Sequence, residues 1–376
     1  MRLGIDSQKL PEFVKRGPLA SLDLVKELGL SGLFFPTVLD MSPMLDRTAL
    51  RAIREKADEL GLYIESGVGK INPYCSAEAP EFRAIGDGDV ILGFTRMIEA
   101  SVSIGCRELW VSPGNFKSEY RGRLANDRFR TDVTWDEQLL AIEKVLLKLA
   151  PVARANGVHL NMETHDEITS FEIVRLIDKI GEDCLGVVFD TANGLQRGEH
   201  PVYAAKRVAP YVRQTHIKDA YVGHAPGGLD FQTRPVGRGI VDFAAIIPIL
   251  ATANPDLNLS LEVAASVEDK PRKANPRQCI EIDDPAWRAA HPDLNTEEQE
   301  AYLSLVSTFE KRVASDEIPD WETYEANNYG YPTYEKQTYG FGAAITFIRN
   351  SAEHIQTICA DNGIDLSAPL TKRQAA

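Results

Sequence analysis

The sequence predicts an α/β protein in which eight parallel strands close into a barrel with helices on the outside. Short runs rich in Val, Leu, Ile and Phe alternate with segments of helical spacing over the first two thirds of the chain. Such alternation is typical of parallel sheets. Four consecutive runs end in Glu, Asp or His, which is expected where the carboxyl ends of barrel strands share one mouth.

Each predicted strand is a short apolar run bounded by Gly, Pro, Asn or the end of a helical pattern. The eight strands are residues 3–6, 33–35, 62–66, 108–112, 158–163, 185–190, 212–216 and 257–262. Helices fill the intervals, because apolar residues recur there at a spacing of three or four. They are predicted at 19–28, 47–60, 89–105, 133–156, 170–180, 201–208, 242–250 and 344–362. The segments 67–88 and 113–132 are predicted to be long loops at the mouth.

After the eighth strand the alternation stops. Residues 1–263 contain the eight strands and the first seven helices, and residues 343–376 contain the eighth helix and a tail. The segment 264–342 between them is predicted to be an insertion at the catalytic face, where barrel loops lie. It is acidic and rich in Tyr and Trp, and disordered segments are poor in such aromatic residues. A folded lid or a partner surface is therefore favoured over a disordered linker.

Composition excludes several classes of protein. The 376 residues include 44% hydrophobic ones, enough for one large barrel domain. The net charge of −14 would repel phosphate backbones, so nucleic-acid binding is not expected. No apolar run is long enough to span a membrane, and the first residues already follow a strand pattern. The five cysteines lack paired spacing, so reduced thiols and a cytoplasmic location are expected.

Glu163, Asp190, His216 and Glu262 are the last residues of four consecutive predicted strands. They should therefore face one another at the barrel mouth. Three carboxylates about 4 to 6 Å apart repel one another strongly unless a cation lies between them. One imidazole with three carboxylates suits a hard divalent cation, and ion pairs with Lys or Arg are the structural alternative. The sequence thus predicts a divalent metal site.

The segments around these four residues resemble the xylose isomerase-like TIM barrels, (β/α)8 barrels of the sugar phosphate isomerase/epimerase superfamily. The motifs are Glu163-Thr-His165, Phe189-Asp190-Thr-Ala-Asn193, Thr215-His216-Ile-Lys-Asp219, Val236-Gly-Arg-Gly-Ile-Val-Asp242 and Leu259-Ser-Leu-Glu262. The resemblance implies that Glu163, Asp190, His216 and Glu262 bind one Mn²⁺, or Mg²⁺ or Co²⁺ in its place. It also implies a sugar or glycoside as substrate.

The chemistry implied by this resemblance is proton removal beside a keto group. A metal ion would polarise the carbonyl and stabilise the enediolate, while Glu163 and Glu262 would move the proton. His165 lies two residues beyond Glu163, where it is predicted to add an acid or base. A histidine held by loop backbone is the alternative to that role.

Other charged residues near the mouth are expected to have structural roles. Lys218 and Asp219 are expected to pair with each other and brace the end of their strand. The basic residues of the loop 113–132 are expected to form a solvated surface, because no Gly-rich phosphate cradle accompanies them. They are Lys117, Arg121, Arg123, Arg128 and Arg130.

Two departures from the epimerase pattern bear on the reaction. Asn193 replaces a histidine next to the metal, and Val222 replaces an arginine six residues after the metal histidine. With His165 and the aromatic insertion, these departures resemble the α subunit of C-glycoside deglycosidases. The resemblance implies a lyase that enolises a 3-keto-glycoside and cleaves its sugar–aglycone carbon–carbon bond, together with a small β subunit and an oligomeric assembly.

A keto-sugar isomerase or epimerase, acting on a free or phosphorylated sugar, is the alternative reading of the same site. A base-excision endonuclease of this barrel type would need more histidines than the seven present and a basic groove, which the net charge opposes. A non-catalytic binding protein would be expected to lose some of the four ligands, and all four are retained.

Overall fold

The computed structural model describes residues 1–76, 80–115, 117, 120, 122–262, 278–324 and 341–366. Parallel strands alternate with helices along most of this chain. The strands are β1 Arg2–Asp6, β2 Gly32–Phe34, β3 Tyr63–Lys70, β4 Glu108–Ser112, β5 His159–Glu163, β6 Leu185–Asp190, β7 Val212–His216, β8 Asp219–Ala225, β9 Gly228–Arg234, β10 Asn258–Leu261 and β11 Gln278–Ile280.

Eight of these strands form one parallel sheet in the order β10-β1-β2-β3-β4-β5-β6-β7. A parallel bridge between Ile217 and Leu261 joins the two ends of the sheet, and the amide of Glu262 donates to the carbonyl of Ile217 at 2.9 Å. The sheet therefore closes into the predicted (β/α)8 barrel, and the fold class is confirmed.

The helices follow the strands and cover the outside of the barrel. They are Phe13–Glu27, Val38–Met41, Arg47–Leu60, Pro73–Ser76, Pro80–Ile85, Val90–Ser103, Trp135–Asn156, Ser170–Ile180, Pro201–Val208, Phe243–Ala253, Pro285–Ala289, Thr296–Ala314 and Phe341–Asp361. Local sequence sets their ends. In Trp135–Asn156, for example, Thr134 and Glu137 form a capping box at the start, and Gly157 adopts φ 60° at the end.

The inside of the barrel contains buried polar side chains as well as a small apolar cluster of Phe34, Trp110 and Val188 that is separate from the main core. Side chains of non-neighbouring strands bond across the interior: Asn161 donates to Gln214 at 3.0 Å, and Asn258 donates to Glu65 at 2.9 Å. Satisfying these buried polar groups with one another avoids the cost of leaving them unpaired. The side chain of Tyr63 packs directly against Gly4 of β1. A Cβ on Gly4 would lie only 2.1 Å from the Tyr63 hydroxyl, so only glycine fits at this position.

Several features differ from the sequence prediction. The predicted loop 67–88 contains the helices Pro73–Ser76 and Pro80–Ile85, and the first helix begins at Phe13 instead of residue 19. Strand β3 continues to Lys70 instead of ending at residue 66, with a register shift between Gly67 and Gly69 against β4. The connection after β7 contains an antiparallel hairpin, β8 and β9, that was not predicted. The sequence does contain a signal for this hairpin, because two strand-like runs flank the turn residues Pro226-Gly-Gly228.

The described part of the predicted insertion is folded and contacts the barrel mouth. Strand β11 pairs antiparallel with β9, and the hydroxyl of Tyr302 donates to the carbonyl of Leu195, after β6, at 2.9 Å. The ring of Tyr221 lies 5.5 Å from that of Phe309. The boundaries 264 and 342 stay a prediction, and the tyrosines at 329, 331, 334 and 339 lie outside the described residues.

The state of the cysteines and the character of the helices bear on two expectations from the composition. All five cysteines are unpaired, and four of them are buried. Among the helices that the structure describes, none combines the length and apolar character needed to cross a membrane.

Candidate metal centre

The four predicted ligand residues lie together at the barrel mouth. Glu163, Asp190 and His216 end β5, β6 and β7, and Glu262 directly follows β10. Each offers one ligand atom, and these atoms lie within 4.8 Å of one another, about twice a typical metal–oxygen distance. The Nδ1 atom of His216 is 2.8 Å from Oε1 of Glu163. The structure thus brings together all four residues, while their role as ligands remains a proposal.

Neighbouring groups fix the orientation of these side chains. The backbone amides of Ala192 and Asn193 each donate to Oδ1 of Asp190 at 2.8 Å, so the strand end and its turn hold the carboxylate. The indole Nε1 of Trp110 donates to Oε2 of Glu163 at 3.0 Å. Such supporting hydrogen bonds are a common property of metal sites.

Two lysines also reach the cluster. The Nζ atom of Lys218 lies 2.9 Å from both Asp190 and Glu262, and Lys9 lies 2.8 Å from the second oxygen of Glu262. The expectation that Lys218 pairs with Asp219 is therefore wrong. Asp219 instead accepts backbone amides of residues 237, 239 and 241.

The donor set fits a divalent cation. The two lysines leave three carboxylates only partly neutralised, and Asp6 adds a fourth buried carboxylate 3.7 Å from Nε2 of His216. That Nε2 atom is buried and has no hydrogen-bond partner in the described part of the chain. Ion pairing therefore explains part of the cluster, but a group of oxygen and imidazole donors that could bind a hard divalent metal remains.

The electrostatics of the cluster follow from burial and close charges. Burial lowers the pKa of His216, but the carboxylates of Glu163 and Glu262 outweigh it and raise that pKa to about 9. Burial raises the pKa of Asp190 to about 7. For Glu262, burial is outweighed by Lys218 and Lys9, so its pKa lies well below the usual value.

These pKa values predict that metal binding releases protons. A coordinating imidazole must be neutral, and His216, with a pKa of about 9, is protonated at pH 7. A coordinating carboxylate must also be ionised, and Asp190, with a pKa of about 7, is about half protonated at pH 7. We therefore expect between one and two protons to be released per bound Mn²⁺ at about pH 7, and affinity to rise at least about tenfold per pH unit between pH 6 and 8, more steeply below pH 7. Calorimetry in buffers of different ionisation enthalpy measures the proton number, and an affinity independent of pH would contradict the prediction.

His165 lies just beyond β5 and is half-buried. Its Nδ1 atom contacts the buried carboxylate of Glu167, which was not predicted as a site residue. A Cβ on Gly114 would lie 2.6 Å from that carboxyl carbon, so close packing holds Glu167 in place. Burial lowers the pKa of His165, but Glu167 and Glu163 outweigh it and raise the pKa to about 10.

The expected solvated basic surface in the loop 113–132 is only partly correct. Arg121 lies outside the described residues, and Arg130 pairs with the exposed Asp132 at 2.8 Å. Arg128, however, is buried and forms a two-pronged ion pair with Glu172 at 2.9 and 3.1 Å. Glu172 also caps the helix Ser170–Ile180, so Arg128 fixes a loop of the mouth to that helix.

Replacing Arg128 by Met should destabilise the protein by about 3–5 kcal/mol, because it leaves the buried Glu172 carboxylate without its cation. Urea unfolding followed by circular dichroism would measure this change. As a control, Arg175→Met removes a pair between Arg175 and Asp293 in which Arg175 is half exposed, and it should cost less than about 1 kcal/mol. Equal effects of the two changes would contradict the prediction.

The fold and the cluster together define an α/β barrel with a candidate metal centre at the carboxyl ends of its strands. The chain belongs to the xylose isomerase-like TIM barrel family, whose model matches residues 22–282. The family predicted from the motifs is therefore confirmed, whereas the deglycosidase subtype stays a prediction.

Curated relatives match shorter stretches. The chain is 35% identical over 101 residues to the uncharacterized protein YihM of Escherichia coli, covering 27% of this chain and 31% of YihM. It is 24% identical over 131 residues to 3-oxo-isoapionate decarboxylase of Pectobacterium atrosepticum, covering 34% of this chain and 46% of that protein. The matches thus span less than half the length of either relative.

Solved structures with the same fold cover more of the chain. D-psicose 3-epimerase with D-tagatose from Clostridium cellulolyticum has a TM-score of 0.54 at 15% identity, covering 82% of this chain and 99% of that one. The 3-keto-D-glucoside 4-epimerase YcjR of E. coli has a TM-score of 0.51 at 16% identity, covering 82% of this chain and 99% of that one. A xylose isomerase-like TIM barrel protein from Mycobacterium smegmatis in complex with magnesium has a TM-score of 0.53 at 17% identity, covering 82% of this chain and 97% of that one. At these identities the likeness concerns the fold alone.

Proposed function

We propose that this protein is a divalent-metal-dependent lyase that enolises a 3-keto-glycoside and cleaves the carbon–carbon bond between sugar and aglycone. The observation that favours a lyase over an epimerase is the pairing of Glu262. One of its carboxylate oxygens lies 2.8 Å from Lys9 and the other 2.9 Å from Lys218.

An epimerase that uses two glutamates needs a proton-transferring group on each face of the substrate carbon. Glu262 is poorly suited to that task, because two ammonium groups hold its pKa well below the usual value. Burial is outweighed by His216 and His165, which lower the pKa of Glu163 as well, but among the described residues neither of its oxygens is paired with a lysine. We therefore assign Glu262 to the metal and not to proton transfer. The groups that remain are Glu163 and His165, which are two residues apart at the carboxyl end of β5.

In this proposal Glu163, Asp190, His216 and Glu262 hold Mn²⁺, or Mg²⁺ or Co²⁺, which when bound supplies a Lewis acid for the keto group. Glu163 takes the proton from the carbon next to the keto group. The electron pair of that carbon–hydrogen bond first forms the enolate of the keto sugar, which can take up a proton again. In a second step the electron pair of the enolate forms a carbon–carbon double bond to the carbon that bears the aglycone as the bond to the aglycone breaks. His165 gives its proton to the departing aglycone carbon, and Glu167 holds the imidazole in place.

A curated relative offers limited support for carbon–carbon cleavage. It is named 3-oxo-isoapionate decarboxylase, and a decarboxylase also breaks a carbon–carbon bond. The five aromatic residues of the described segment 278–324 are buried, so they pack this segment and do not themselves support an aryl aglycone or a small β subunit as its partner.

The proposal is tested by assaying the metal-loaded protein in D₂O with a 3-keto-C-glycoside and with free keto-sugars. The assay is run with and without a candidate small β subunit. We expect aglycone release from the 3-keto-C-glycoside, measured by chromatography. Epimerisation of a free keto-sugar without any aglycone release would show instead that the enzyme is an epimerase.

A further inference from the structure

A second polar cavity lies beside the candidate metal centre. It has a volume of about 20 Å³, which is room for about one water molecule or one small ion. Its walls come from the 3-10 helix Asn193–Arg197 that follows Asp190, from the turn at Gly122–Ala125 and from β11. The polar lining side chains include Asn126, Gln196, Arg197 and Gln278.

Arg197 is the unusual member of this lining. The residue is 4% exposed, and no carboxylate of the described residues lies within ion-pair distance of it. Its Nη1 atom donates to Nε2 of His291 at 3.2 Å, and its buried Nε has no hydrogen-bond partner in the described part of the chain. A guanidinium has five N–H donors, so most of its donors are unused.

His291 does not supply a compensating charge. Its Nδ1 atom donates to the carbonyl of Trp287 at 2.6 Å, which leaves Nε2 as a neutral acceptor for Arg197. Its ring stacks on that of Trp287 with 3.9 Å between centroids. Burial and the charges of Arg197 and Arg128 lower the pKa of His291 to about 2, so the ring stays neutral.

The carboxylates nearest to this region already have other partners. Glu172 is held by Arg128, Glu167 contacts His165, and Oδ1 of Asp166 accepts from Gln196 at 2.5 Å. Glu281, whose carboxylate lies against Gly122 in the cavity wall, pairs with Arg123 at 3.4 Å. Arg197 is therefore a buried cation without a dedicated counter-charge, and such a cation is costly to bury.

We propose that this cavity binds a small monovalent anion of about the size of chloride, held by the free N–H groups of Arg197. The cavity has room for about one such ion, and Arg123 adds a second guanidinium to its walls. The anion would join the helix that follows Asp190 to β11 and to the helix Pro285–Ala289. It would thereby fasten the described part of the segment 278–324 to the rim of the metal centre.

Bromide serves as the probe, because it replaces chloride and can be located by anomalous diffraction. Crystals of the full chain in 100 mM sodium bromide, a concentration of about the physiological order of ionic strength, should show an anomalous peak beside the Arg197 guanidinium. Thermal unfolding in bromide and in gluconate at equal ionic strength should differ by about 3 °C in favour of bromide. The difference should disappear in Arg197→Met and persist in Arg197→Lys and in the control Arg175→Met.

Absence of the peak in the wild type would overturn the proposal. So would a bromide peak seen only near molar concentration, which indicates an adventitious ion only. An Arg197→Met variant that keeps the full bromide-dependent shift would overturn it as well. If Arg197→Met does not fold, the wild-type diffraction experiment and the Arg197→Lys variant still decide the question.

Discussion

Replacing His216 by Ala is expected to abolish both metal binding and turnover. The side chain is the only imidazole among the four converging groups, and its removal leaves three carboxylates that repel one another. We expect the metal content to fall from about one ion per chain to less than about a tenth, and turnover to fall at least about 10³-fold. Elemental analysis after dialysis and the aglycone-release assay measure the two quantities.

The matched control is His224→Ala. The side chain of His224 is exposed near the turn of the hairpin β8–β9 and pairs with Glu310 at 2.9 Å, so this change should leave metal content and turnover within about twofold of wild type. Full activity of the wild-type protein after treatment with a chelator would contradict the role of the metal. An active His216→Ala variant with one bound ion would contradict the role of His216.

The candidate metal centre was predictable because it depends on strand ends. A run such as residues 185–190 shows where a strand stops, and the geometry of a closed parallel barrel then places Asp190 near Glu163 and His216. Neither inference requires knowledge of loop conformation. The fold was predictable for the same reason, since the alternation of strands and helices determines the sheet order.

The lysines were harder to interpret because long side chains can reach several partners. Lys9 follows β1 by three residues, and Lys218 follows His216 by two. Sequence position places both near the mouth, but it does not indicate that both ammonium groups converge on Glu262. From the sequence, Glu262 is expected to bind the metal and also to move a proton, and this pairing leaves only the role of ligand in the proposed mechanism.

Arg128 and Glu167 could not be predicted because their environment depends on contacts distant in sequence. Arg128 lies in a basic loop that reads as a solvated surface, yet its partner Glu172 is 44 residues away. Glu167 lies in a short polar segment, and its burial depends on close packing against Gly114. Local patterns of charge and hydrophobicity contain no information about such contacts.

Replacing His165 by Gln should separate the two halves of the proposed reaction. Glu163 would still remove the proton next to the keto group, so exchange of that proton with D₂O should stay within about threefold of wild type. Aglycone release should fall about 10²- to 10⁴-fold, the usual contribution of a general acid. NMR measures the exchange, and chromatography measures the release.

Glu167→Gln tests how His165 keeps its proton. Removing the Glu167 carboxylate deletes the strongest attraction that raises the pKa of His165 to about 10, so the imidazole should lose its proton at a lower pH. Aglycone release by this variant should therefore begin to decline at least about one pH unit earlier on the alkaline side, while D₂O exchange is retained. If His165→Gln releases aglycone at the wild-type rate, His165 is not the acid, and the lyase mechanism requires another proton donor.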